Sequence, residues 1–271
     1  MVNITYYEAL SLQAITQWEQ RGHTGLNKRL LDLASKPIGS AISVLEPETI
    51  HAVENIVHRG VQRLLHGSQF SMDANKLVKR ARAQGIRLRG FDDIKRISLM
   101  ALDRCNRRHV KIHGRGACLI GAVAGLGGPL LAAADLTALL WTNFHLIQEV
   151  AFCYGFDPND AVEKQIMLRV LLAGFGSSEM KAKALEEIEA LEARLELQRS
   201  GADHVSLLGS RALASYVEHL TVALLTRIVP HALPVVSVVL AAHNNHETVN
   251  QIGRTAFMVY RRRFVERKRA L

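Results

Sequence analysis

Apolar residues recur along most of the chain at steps of three and four, the spacing that gathers them on one side of an α-helix. Residues 5–20 place Ala9, Leu12, Ile15 and the neighbourhood of Trp18 at that step. A short helix is predicted over 26–36, closed by Pro37-Ile38-Gly39. Pro47, with Glu48 behind it, opens a helix to about His66 that turns Ile50, Val53, Val57, Val61 and Leu64 inward. Proline and an acidic residue both suit a first helical turn. Ser71 and Asp73 are expected caps for a basic helix to Gln84, followed by a loop with Gly85 and Gly90. Asp92 or Asp93 then begins a helix through Lys111, with Ile94, Ile97, Leu99, Leu102 and Val110 inside.

In the second half, Asp135 is expected to start and cap a helix ending at Tyr154, with Gly155 as the residue beyond its end. Asp157-Pro158 restarts the chain as cap and first turn for 158–174. Ser177 or Ser178 opens a highly charged helix to Gln198. Its apolar positions Ala184, Ile188, Leu191 and Leu195 form a narrow stripe of coiled-coil type, suited to a protruding helical hairpin around 158–200 or to a partner. A helix over 211–228 follows, then Pro230, Pro234 and the apolar run VVSVVLAA. Thr248 is expected to begin the last helix, 249–267.

One segment departs from this rhythm. Gly116 to Ala134 contains no charged residue, a length that would span a bilayer core. It also contains five glycines (116, 121, 125, 127, 128) and Pro129. Glycine costs about 1 kcal/mol and proline about 3 kcal/mol in a helix interior. A segment so built suits close approach of two backbones. Gly121, Gly125, Gly127 and Gly128 are the expected close-packing positions, beside Asp135. The phosphate-binding patterns GxxxxGK[ST] and GxGxxG are absent.

Composition supports helices throughout: Ala, Leu, Glu, Arg and Lys dominate and only six prolines occur among 271 residues. Cys105, Cys118 and Cys153 form no CxxC pair, which argues against a disulfide framework or a zinc ribbon. The N-terminus shows no basic segment leading into an apolar one, so no secretory signal is expected. The expected architecture is all-α: a single domain over 1–271, a multi-helix bundle around a glycine-rich central helix pair of about 116–128 and 135–154.

The net charge of +9 is concentrated in two places. Residues 76–115 hold thirteen Lys or Arg against three Asp, and 250–271 hold seven against one Glu. Such concentration beside apolar segments points to an anionic partner. Arg104, Arg107, Arg108, Lys111, Arg115, Arg261, Arg262, Arg263, Arg267, Lys268 and Arg269 are the expected contacts to anionic lipid. Nucleic acid is disfavoured, because few aromatics accompany the basic residues and no nucleic-acid motif occurs.

The order of motifs carries a resemblance. Gly121–Gly128 (GAVAGLGG), Ala134-Asp135-Leu136, Tyr154-Gly155-Phe156-Asp157, then Pro234, Asn245, Ile252-Gly253, Ala256 and a basic end resemble the EcsC protein family. Trp18, Lys36-Pro37-Ile38 and Pro47 fit more loosely, and His145 stands where the family pattern has arginine. The resemblance covers nearly the whole chain. It implies a helical bacterial protein associated with the cytoplasmic membrane, and carries over no catalytic residue.

The expected function is therefore a non-enzymatic, peripheral or accessory protein of a bacterial membrane, resident in the cytoplasm, with no cofactor. An anionic membrane surface is its expected partner; a transporter, another protein or a second copy are further candidates. Two alternatives stay open. His145, Glu149, His243 and His246, with Asp135, could form a metal-dependent enzyme site in the helical core. His109 and His113 share a helical face, but their neighbours Arg107, Arg108, Lys111 and Arg115 would repel a divalent cation. The other alternative is a soluble scaffold that binds a protein through 178–199.

Overall fold

The computed structural model describes residues 4–21, 45–66, 74–83, 85–124, 128–199, 210–228 and 238–269. Among them the chain forms α1 (Tyr6–Gln20), α2 (Pro47–His66), α3 (Ala74–Ala83), α4 (Leu99–Ala124), α5 (Gly128–Cys153), α6 (Ala161–Phe175), α7 (Ser178–Arg199), α8 (Ser210–Ile228) and α9 (Val238–Arg269). A 3-10 turn spans Phe91–Arg96, and no strand occurs among the described residues. The all-α bundle expected from periodicity is what forms. The segments 26–36, 71–73, 125–127 and 229–237, with the features expected there, lie outside the described residues.

Local chemistry sets the clearest helix ends. Thr5 and Glu8 close a capping box at the start of α1, each side chain bonding the other's backbone N–H. Asp160, not Asp157, caps α6, its Oδ1 accepting from Val162 N at 2.8 Å and Glu163 N at 3.0 Å. Asp157 instead closes a turn onto Asn159 N. At the end of α5, Gly155 adopts φ +76, and Phe156 N reaches back to Ala151 O at 3.0 Å. That left-handed position favours glycine, as expected.

Three starts differ from the sequence reading. α5 begins at Gly128 with Pro129 in its first turn, where amide hydrogens have no intrahelical acceptor. Asp135 consequently sits inside the helix and caps nothing at its start. α4 begins at Leu99, because Asp93 accepts from Arg89 N and Gly90 N and so stabilises the preceding 3-10 turn. α9 runs unbroken from Val238 through Thr248, whose side chain is buried. Packing overrides the capping tendency of threonine there.

α9 is the axis. It packs along α4, α6, α5 and α1, while α5 touches α4, α2, α6 and α8. The second half of α5 and nearly all of α6 are buried on every side, the pattern of helices at the centre of a bundle. α7 lies along α6 and buries Ala184, Ile188 and Leu191, so most of its apolar stripe is occupied within the chain. Among the described residues, no helix is long and apolar enough to cross a membrane.

Among the described residues, Gly174, Gly253 and Gly114 build close approach. A Cβ on Gly174 of α6 would lie 2.7 Å from Ile252 Cγ1 and 2.9 Å from its Cα. One on Gly253 of α9 would meet Val110 of α4 at 2.8 Å, and one on Gly114 would meet Asn250 at 2.8 Å. The surroundings of Gly121, Gly125, Gly127 and Gly128 lie outside the described residues.

Candidate functional site

α4 presents two chemically opposite faces. On the outer one, Arg104, Arg107, Arg108 and Lys111 are exposed, at steps of three, one and three that keep them within about 100° of the helix surface. Exposed apolar side chains flank them, Met100 at 50% and Ile112 at 55%. Arg107 also lies over the Phe257 ring at 5.8 Å. The side chain of Arg115, next in the same register, lies outside the described residues.

The second basic segment behaves otherwise. Arg261, Arg262 and Arg263 are 6%, 6% and 4% exposed, so the expectation that they face lipid is corrected. Consecutive helical residues point about 100° apart, and each arginine meets a different neighbour. Arg261 Nη2 lies 2.6 Å from Asp103 of α4. Arg262 Nη1 donates to Glu19 of α1 at 3.0 Å and Glu189 of α7 at 2.7 Å. Arg263 grips both oxygens of Glu163 of α6, at 2.7 and 3.1 Å, and donates through Nε to Glu192 at 2.6 Å. Arg267 donates to the carbonyls of Tyr154 and Gly155, both at 2.9 Å, and Lys268 pairs with Glu8 at 2.6 Å. Carboxylates and backbone carbonyls of the same chain occupy these cations. Arg269 alone of that group is exposed.

The inner face of α4 carries Cys105, His109 and His113, one turn apart. α5 runs antiparallel beside it, so residue numbers rising on one helix meet numbers falling on the other: Cys105 meets Cys153, and His109 meets Glu149. Cys105 Sγ and Cys153 Sγ are 3.4 Å apart. Glu149 Oε2 lies 2.6 Å from His109 Nδ1 and 3.0 Å from His113 Nε2. Cys105, His109, Glu149 and Cys153 are all buried. One ligand atom from each of Cys105, His109 and Cys153 falls within 4.8 Å of the others.

Electrostatics couple these groups. Burial pulls the His109 imidazole down, but its hydrogen bonds to Cys105 and Glu149 outweigh that and lift it to about 9. Burial likewise pushes the Glu149 carboxyl up, and the two imidazoles more than reverse it, holding it well below the usual range. The hydrogen bond from Cys153 leads in lowering Cys105, and the same bond raises Cys153. The shifts of Cys105, His109 and Glu149 each favour the charged form within one buried site.

Among the described residues, His145, Glu149 and His246 of the other expected metal set do not come together. Glu149 turns to His109 and His113. Both ring nitrogens of His246 are engaged, Nδ1 with Gly114 O at 2.8 Å and Nε2 with Asn250 Nδ2 at 2.9 Å. His145 packs edge-on to Trp141, with centroids 4.9 Å apart. The side chains of His243 and Asp135 lie outside the described residues.

Residues 9–265 match the EcsC protein family model. The chain belongs to the EcsC protein family. It is 28% identical over 183 residues to the Uncharacterized protein YdbA of Bacillus subtilis (strain 168), covering 65% of this chain and 63% of that protein. It is 21% identical over 257 residues to Protein EcsC of the same organism, covering 95% and 96% of the two chains. No solved structure matches. The matched region runs from within α1 to within α9, so both faces of α4 and the three consecutive arginines lie inside this EcsC domain.

The pairing of Cys105 with Cys153 escaped the sequence reading of this EcsC-family chain, which sought both cysteines within one short motif. The available signal was periodic: Cys105-xxx-His109-xxx-His113 on one helix and Glu149-xxx-Cys153 on the next. The repulsion expected from the arginines also loses force. They occupy roughly the opposite side of α4 from His109, in solvent, where charges are screened.

Proposed function

We propose that this protein docks peripherally on an anionic membrane surface through the outer face of α4, as a non-enzymatic accessory protein on the cytoplasmic side of a bacterial membrane. The carrying observation is the exposed run Arg104, Arg107, Arg108 and Lys111, bracketed by exposed Met100 and Ile112. Cations beside apolar side chains on one helix face suit the boundary of headgroups and acyl chains. The reading is narrower than charge counting suggests, because Arg261, Arg262 and Arg263 of α9 pair with acids of the same chain.

Each basic residue near an anionic surface contributes about 1 kcal/mol. Four therefore give roughly a thousandfold in partitioning at low salt. Flotation with vesicles of graded anionic content tests this. Binding should rise with anionic lipid and fall with salt, and the Arg104→Glu/Arg108→Glu double variant should lose most of it. Equal binding to neutral and anionic vesicles, or an unaffected double variant, overturns the reading.

A further inference from the structure

We propose that Cys105, His109 and Cys153 bind one zinc-like divalent metal ion inside the α4–α5 pair, with Glu149 orienting His109 from behind. This site is independent of the membrane-docking reading and stands on the opposite face of α4. The donor set is two sulfurs and an imidazole nitrogen, the soft-to-borderline combination that selects zinc over magnesium or calcium.

Geometry is the argument. At 3.4 Å the two sulfurs are well beyond the about 2.05 Å of a disulfide. Two thiolates at about 2.3 Å from a tetrahedral zinc stand roughly 3.8 Å apart. Three ligand atoms already within 4.8 Å of one another therefore need only small side-chain rotations to close on an ion. The steps of four residues, on two antiparallel helices, project all three donors into one space.

Glu149 completes the arrangement. Its Oε2 sits 2.6 Å from His109 Nδ1, the carboxylate–imidazole contact that fixes ring orientation and tautomer behind a metal ligand. With Nδ1–H donated to Glu149, ligation goes through Nε2. His113 holds the same carboxylate oxygen at 3.0 Å, so Glu149 is committed to the imidazoles and the fourth position is left to solvent. Binding releases to solvent whatever protons the two sulfurs and Nε2 carry, as the metal–sulfur and metal–nitrogen bonds form. Two thiolates cancel the charge of the ion, which is how a dication is accommodated in so buried a place.

The test uses the full chain, purified reduced and without a metal-affinity tag. After chelator treatment, titration with cobalt(II) should give one equivalent of uptake, with thiolate-to-cobalt charge-transfer absorption and tetrahedral ligand-field bands that zinc(II) abolishes. Cys105→Ala and Cys153→Ala should each remove the charge-transfer band and weaken binding at least a hundredfold while circular dichroism stays helical. Glu149→Gln should retain the band with binding ten- to a hundredfold weaker. If an alanine variant fails to fold, the wild-type spectrum still decides, because thiolate charge transfer reports sulfur ligation directly. A folded, reduced wild-type chain that takes up neither ion would overturn the proposal. Uptake unchanged in both cysteine variants, or isolation with Cys105 and Cys153 joined as a metal-free disulfide, would do the same.

Discussion

Asp103 of α4 and Arg261 of α9 meet at 2.6 Å with the carboxylate wholly shielded from solvent. Tyr7 and Tyr154 each donate a hydroxyl to the same carboxylate at 2.7 Å, so its acceptor capacity is well used. A buried ion pair adds little over an apolar replacement of both partners, but removing one partner strands the other charge. Arg261→Met should therefore destabilise the chain by about 3–5 kcal/mol. Arg104→Met on the solvent side of α4 should stay within about 0.5 kcal/mol. Urea denaturation of the two variants measures the contrast, and similar midpoints would contradict the burial of Arg261.

Gly174 and Gly60 make an opposed pair. Both lie within helices, where alanine is intrinsically better by about 1 kcal/mol. At Gly60 a Cβ would find only Leu140 Cδ1 at an ordinary 3.7 Å, so Gly60→Ala should raise stability. At Gly174 it would meet backbone, Ile252 Cα at 2.9 Å, which cannot swing aside. Gly174→Ala should lower stability by about 1–3 kcal/mol. Thermal melts that shift the same way for both would refute the close packing of α6 on α9.

Lys181 links α7 to the end of α1, donating to Trp18 O at 2.6 Å and Arg21 O at 2.9 Å above the Trp18 ring. Burial pulls its ammonium from 10.5 down to about 8, opposed by Glu19 and reinforced by Arg254. The sign follows from proton counting. Between those values the unfolded chain holds a proton that the folded chain has lost, so stability rises with pH. The penalty is complete below about 8 and is relieved as pH climbs towards 10.5. Lys181→Met should abolish that component: the stability gap between wild type and variant should widen in favour of wild type across the window. A gap that is flat or narrows would show that the ammonium is not desolvated.

Arg267 braces the turn after α5, bonding the carbonyls of Tyr154 and Gly155 while lying 4.3 Å over the Phe156 ring. Charged hydrogen bonds of this kind contribute about 1.5–3 kcal/mol. Arg267→Ala should lose that amount and speed hydrogen exchange selectively at the Tyr154–Asp157 amides. Uniform exchange across the chain would place its role elsewhere.

What the sequence discloses divides along a physical line. Several features set by neighbours a few residues away could be read: Gly155 in its left-handed turn, the span of α7, the proline opening α2. Features that distant segments decide could not. Thr248 looks like a cap because five polar residues precede it, yet contacts with α4 carry the helix straight through. Arg261, Arg262 and Arg263 look like a cationic surface because their acids lie scattered at 103, 19, 189, 163 and 192. The Cys105–Cys153 encounter needed the register of two separate helices, which spacing within either helix does not reveal.

Arg261, Arg262 and Lys268 of α9 hold residues of α1. Tyr7 and Glu19, with Glu8 through Lys268, wait on partners about two hundred and fifty positions downstream. Asp103 and Lys181 can meet α1 earlier in synthesis, but its charged contacts to Arg262 and Lys268 form only once α9 has been made. Full closure of α1 is therefore a late event in the life of each nascent molecule, and a product interrupted before Arg261 leaves Glu8 and Glu19 without those cations.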